Sequence, residues 1–420
     1  MPTPSLLIVP ARFKTGRLYS QIPTNTDNRG DFTVTRNTTA TRFNSAGLIE
    51  SVASGIPRLD YYTSGGVTGC PALLVEPAGT NLKPRSDNFT SADAIYTLTR
   101  VTSGTTSNVA PLNLPALTVR ETTDNGTHSI QIRPDATLVS GSIYTRSFLI
   151  TTVGRDVIDF RDAGQTNAHI RFNLVSGSIL ASGANAISGR VINVGTNMYY
   201  VAVTFTATAT IGRANLDLYS DNTTNSYAGD ISKGVNIHFI QYELGSVATS
   251  YIPTTAGTGS RSADVISVSG AVSGSIGQTE GTVYIEGVIT NYADAAASFI
   301  TISDNTINNR LEIRKGSPGS ISFERESATQ SASTSINATG QVNGIFKMAV
   351  AYKSGDTAFF INGVQVATTN AATFTMNTLT HIYLGSNASG TARRLNDRIR
   401  AAALYTTRLT NAELATLTTP

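Results

Sequence analysis

Apolar and polar residues alternate with a period of two through most of the chain after about residue 140. Tyr199, Val201, Val203 and Phe205 alternate with Tyr200, Ala202 and Thr204. Ile170, Phe172 and Leu174 alternate with His169, Arg171 and Asn173, and Phe346, Met348, Val350 and Tyr352 with Lys347, Ala349 and Ala351. This period sends one set of side chains into a core and the other toward solvent, and predicts strands. Phe359–Val366 predicts a hairpin, because Asn362-Gly363 accepts the positive φ angles of a tight turn between two β-rich flanks. One short helix is predicted at Ala412–Leu417, capped by Thr410 or Asn411.

Turn-rich stretches divide this pattern. Residues 1–83 show little sustained alternation, and Gly-rich segments run through 254–260 and 269–277. The expected order is an N-terminal segment (1–83), a first sandwich (84–265) and a second sandwich (278–420) joined near 255–278. A chain of 420 residues is long enough for two or three cores. The expected class is all-β.

Composition supports strands and excludes several functions. Charged residues make up 14% of the chain, against roughly 25% in a typical soluble domain. The net charge is +3 with no long basic run, which argues against a nucleic-acid groove. The single cysteine, Cys70, rules out an intrachain disulfide and reads as a small buried packing residue. The apolar run Leu6–Val9 is too short for a signal core or a membrane span, so no membrane partner is expected.

Three stretches then carry a family resemblance. The run Phe32–Glu50 continues through Pro57–Tyr61, Cys70–Pro77 and Thr80-Asn81-Leu82. It resembles a block found ahead of lectin-like domains in bacteriophage tail and fibre proteins. Gln241–Gly245 with Ala248–Thr254 resembles the closing strand of a carbohydrate-binding-module-like jelly roll. Phe360–Val364, Tyr383-Leu384-Gly385 and Arg398-Ile399-Arg400 up to Leu414 resemble a concanavalin A-like (laminin-G-like) sandwich. The resemblance implies a jelly roll and a concanavalin A-like sandwich behind an attachment segment. It implies a virion component assembled in the host cytoplasm, a homotrimer, of tail-fibre or receptor-binding type. Its partners would be other virion proteins, reached through residues 1–83, and a host surface polysaccharide or glycoprotein. The competing reading is a purely structural particle component, such as a head fibre, capsid decoration or tail-hub adaptor. The chain lacks tryptophan, the strongest sugar-stacking platform, but has 16 tyrosines.

Candidate chemistry is sparse. His128, His169, His238 and His381 show no metal-ligand spacing, and His128 and His169 read as surface residues. Asp156 with Asp159, and Glu324 with Glu326, have spacings tolerable for glycoside hydrolysis, but Glu324-Arg325-Glu326 reads as the solvent side of a strand. No enzyme is expected. Asp304, Asn305 and Asn308 form an oxygen-rich turn; calcium is the only cofactor the sequence admits, and an ordinary Asn/Asp turn is the competing account. Arg213, Asn215, Asp217 and Tyr219 share one strand face and are the expected glycan contacts. Leu6, Ile8, Arg12 and Phe13 are the expected virion-attachment residues: an apolar strand that adds to a partner's sheet edge or folds back on its own first sandwich.

Overall fold

A computed structural model describes residues 2–22, 29–61, 63–64, 67–68, 70–90, 95–270, 272–290, 296–316, 320–327, 330–338, 344–370 and 373–420. The chain is all-β, with antiparallel sheets throughout and, among the described residues, one α-helix. The predicted hairpin forms: Asn362 and Gly363 take φ of 49° and 83° between Thr357–Ile361 and Val364–Asn370. The helix spans Asn411–Thr418, and Thr410 and Glu413 cap it reciprocally.

The N- and C-terminal parts of the chain build one sandwich together. Its first sheet runs Val364–Asn370, Thr357–Ile361, Gly344–Lys353, Glu280–Ile289, Asp397–Tyr405, Ala72–Val75 and Leu59–Asp60. Leu6–Ile8 pairs with the far half of Asp397–Tyr405. The second sheet runs Phe13–Lys14, Arg17–Leu18, Phe32–Thr35, Val265–Ser269, His381–Leu384, Ala297–Ser303, Arg310–Gly316, Ser320–Ser327 and Gln330–Ala338. One core joins Leu6, Ile8, Phe32, Val34 and Leu73 to Ile285, Phe299, Met348 and Leu404. The helix lays Leu414 on the sheet's outer face against Ala349, Phe360 and Ala403.

This corrects the expected attachment segment. Leu6 and Ile8 face Leu404 and Ala402 and are buried, so their apolar faces are taken up within the chain. Phe13 pairs with Leu18 and packs on the same core, while Arg12, just before it, is exposed. The strand folds back, but onto the C-terminal sandwich rather than the first one.

The jelly-roll-like sandwich is an insertion. The chain leaves through Gly79–Asn81 and returns through Gly259–Arg261, and these two legs pair as a ribbon. The expected linker near 255–278 is therefore the return leg, followed by Val265–Ser269, an interior strand of the other sandwich. The inserted body has a seven-stranded sheet: Ile95–Thr99, Asn125–Thr137, Ile211–Tyr219, Val157–Asp162, His169–Asn173 and Ser178–Ser182, with Ser226–Ala228 beside Asn125–Thr137. Facing it is a six-stranded sheet: Val101–Val109, Leu114–Glu121, Gly234–Leu244, Ile143–Val153, Met198–Thr206 and Ala186–Gly195. Phe148, Phe160, Phe172, Val201 and Phe205 fill the space between, as the alternation predicts.

The stretches that carry the resemblance meet where the two bodies join. Arg58 donates to Glu76 at 2.6 Å, to Ser250 at 2.8 Å and to Asp264. Arg261 reaches Glu76 at 2.7 Å, and Arg36 reaches Asp264 at 3.0 Å. The five charged side chains are all buried. Burial would push Glu76 up, but Arg261 and Arg58 overcome it and hold the carboxyl at about 2. Beside them Gln241 donates to Glu243, which accepts from Thr249 as well. Tyr251 stacks on Phe239 with centroids 4.1 Å apart.

Candidate functional site

Period two places Arg213, Asn215, Asp217 and Tyr219 on the outward face of the inserted seven-stranded sheet, as expected. Pairing adds what spacing along one strand cannot give. Asn215 lies opposite Gln131 on one side and Arg161 on the other, and Arg161 opposite His169. Asp217 lies opposite Ser129 and Asp159, and Asp159 opposite Arg171. The result is a polar face four strands wide.

The four expected residues are largely occupied by protein partners. Arg213 grips Asp135 with two hydrogen bonds of 2.9 and 2.6 Å. Asn215 donates to Asp217 at 2.7 Å, and Arg161 reaches Asp217 at 3.3 Å. Tyr219 is covered by Arg171, whose guanidinium sits 4.6 Å above the ring. Tyr219 is therefore a support for Arg171, not an open stacking platform. What the face offers outward is the half-exposed Arg161 side chain, with Arg171, His169 and Gln131 beside it.

Past Tyr219 the face opens into a polar cleft of about 520 Å³. Asp156, Asn173, Tyr219, Asp221 and Asn222 line it. Asn173 donates to Asn222 at 3.2 Å, and Asp221 accepts from the backbone of Thr223 and Thr224, fixing the loop. Arg155, at the rim, is held by both oxygens of Glu121.

Asp159 and Asp217 form a cross-strand carboxylate pair that the spacing Asp156/Asp159 does not reveal. Burial lifts the Asp217 carboxyl above its ordinary value, with Asp159 adding to the rise against Asn215 and Arg161. Asp159 is bonded to His169 at 3.0 Å, with only 3% of its side chain exposed, so a sugar ring cannot reach it. The pair orders the sheet face.

Other expected positions differ. Glu324, expected on a solvated face, is buried: it accepts from Arg310 at 3.0 Å, from Arg393 at 2.9 Å and from Arg314. Arg310 also bonds Glu312 and Glu326. The guanidinium groups hold Glu324 below its ordinary value against burial, which leaves it no proton to donate. His128 is buried and stacks on Tyr227, and Cys70 is exposed. Burial pushes His238 down to about 4, where it bonds Thr151 as a neutral ring.

In the oxygen-rich turn, Asp304 accepts from Thr306 through backbone and hydroxyl, Asn305 accepts from the Tyr383 hydroxyl, and the Asn308 backbone donates to Thr306. These bonds are those of an ordinary Asx turn. Among the described residues no group of three or more His, Cys, Asp or Glu side chains could hold a metal.

No family model matches the chain, and no curated protein matches it. Solved structures match parts of it. The carbohydrate-binding module CBM40 of the Ruminococcus gnavus IT-sialidase is 16% identical over 34% of this chain and 85% of its own, with a TM-score of 0.30. The leech intramolecular trans-sialidase is 15% identical over 36% of this chain and 26% of its own, at 0.32. Domain 4 of the Geobacillus stearothermophilus arabinanase AbnA, in complex with arabinotriose, is 14% identical over 41% and 82%, at 0.31.

Proposed function

We propose that this chain is a non-enzymatic adhesion protein of a bacteriophage particle, of tail-fibre or receptor-binding type, that holds a host surface glycan on its inserted sandwich. The observation that carries the reading is the polar face of Gln131, Arg161, His169 and Arg171, which continues into the cleft beside Tyr219. Guanidinium, imidazole and amide groups held in place on a rigid sheet bond sugar hydroxyls without rearrangement. Asp159 is buried against His169 and Asp217 is bonded by Asn215 and Arg161, so this reading gives neither carboxylate a part in bond cleavage.

A shallow face of this kind binds weakly, with a dissociation constant on the order of a millimolar per copy. Several copies on one particle raise the apparent strength roughly a hundredfold through effective concentration. The test is a glycan array probed with the full chain in multivalent form: binding to a defined saccharide class supports the reading, and a blank array removes it.

A second reading has its own observation. Arg213, Asn215 and Asp217 are satisfied by neighbours within the sheet, and the resembling stretches build a joint rather than a surface. Both suit a purely structural particle component. A blank array, together with particles that lose integrity without the protein, would favour it.

A further inference from the structure

The seam between the two sandwiches holds a second cavity, separate from the polar face. Its volume is about 80 Å³, room for about three waters. Its walls are mostly apolar: Phe43 and Ile49 come from the hairpin Ala40–Phe43/Ile49–Val52, and Ile192, Val194, Tyr200 and Phe239 from the inserted body.

Three arginines also line it, and two of them have carboxylate partners. Arg42 bonds Glu50, and Arg398 bonds Asp60 at 2.6 Å. Arg190 has none among the described residues. Its Nη1 donates to the backbone and hydroxyl oxygens of Thr290 at 3.3 and 3.1 Å, and its buried Nε has no hydrogen-bond partner. A guanidinium without a counter-ion beside an apolar wall favours an anionic acceptor, since charge-assisted bonds gain strength away from water.

From this pairing of an apolar cavity with an unneutralised arginine we propose that the seam binds a compact organic monocarboxylate, its apolar body against Ile192, Tyr200 and Phe239 and its carboxylate on Arg190. The bound acid touches both bodies, because Arg190 belongs to the insertion and Thr290 and Phe43 to the other sandwich. Occupancy therefore tightens the joint.

The experiment uses the full chain with benzoate as probe and benzyl alcohol as its neutral counterpart, followed by ligand-observed NMR and thermal unfolding. Saturable benzoate binding is expected, with a rise in the unfolding midpoint and at least about tenfold weaker binding of benzyl alcohol. Arg190→Met should weaken benzoate about tenfold or more and leave benzyl alcohol unchanged. Should that variant not fold, the comparison of the two probes on the unaltered chain still decides. Equal binding of both probes, or no saturation by tens of millimolar benzoate, would overturn the proposal.

Discussion

The Arg58 guanidinium lies 2.6 Å from the Glu76 carboxylate, and both side chains are buried where the two sandwiches meet. Arg58 also holds Asp264 and Ser250, so a single side chain ties the outgoing leg of the insertion to its return. A buried pair of this kind is costly to break on one side, because the remaining charge has neither water nor partner. Arg58→Met should lower the unfolding free energy by about 3–5 kcal/mol, as read by denaturant titration. An effect under 1 kcal/mol would mean the network is dispensable.

Acid should weaken the fold in two separate windows. Glu76 sits at about 2 in the folded chain against an ordinary 4.5. Its contribution is complete above about pH 4.5 and is lost as pH falls through 2. His238 sits at about 4 against 6.5, so the unfolded chain takes up its proton first. That contribution is complete above about pH 6.5 and is lost as pH falls to 4. His238→Gln should flatten the stability profile between pH 6.5 and 4 and leave the lower window intact. Unfolding midpoints measured across pH 2–8 check both.

Asp217 and Asp159 face each other across adjacent strands, and the carboxyl of Asp217 is lifted above its ordinary value by burial and by Asp159. For an acid so raised, stability is complete at low pH and falls as pH rises through the folded value. Asp217→Asn keeps an acceptor for Asn215 and removes the repulsion. It should stabilise the chain at neutral pH by about 0.5–1 kcal/mol, and do nothing at pH 3. A destabilised variant at pH 7 would show that the Arg161 pair outweighs the repulsion.

Ile8 is fully buried in the core shared by both ends of the chain. Ile8→Ala should cost about 2–5 kcal/mol, and removing residues 2–9 should unfold the C-terminal sandwich. Near-ultraviolet circular dichroism with thermal melts reads this directly. An unchanged melt would mean the strand Leu6–Ile8 is peripheral.

Local pattern was legible and long-range pairing was not. The alternation at Tyr199–Phe205 and Ile170–Leu174, the Asn362-Gly363 turn and the Thr410 cap appear in the structure as the sequence implies. Period two also places Arg213 to Tyr219 on one face. It names a face, not a neighbour, so Arg161, His169 and Arg171 could not be assigned to the same site before the sheet order was known. The pairing of Leu6 with Leu404 has no signature at all, because each strand merely looks half-buried. Glu324 reads as solvated because charge normally means exposure; Arg310 and Arg393, on other strands, reverse that.

The central claim is that the outward face of the inserted sandwich holds glycan. Arg161 and Arg171 are its outward cations; Arg161→Ser with Arg171→Gln removes both, and a thermal melt of the variant checks that the sandwich stays folded without the Asp217 and Tyr219 contacts. The measurement is adsorption of particles carrying this double variant to host cells, beside binding of the variant chain to the saccharide selected on the array. The account predicts at least tenfold loss in both, with no reducing ends released by either protein. Equal adsorption and equal saccharide binding by the two proteins would contradict it.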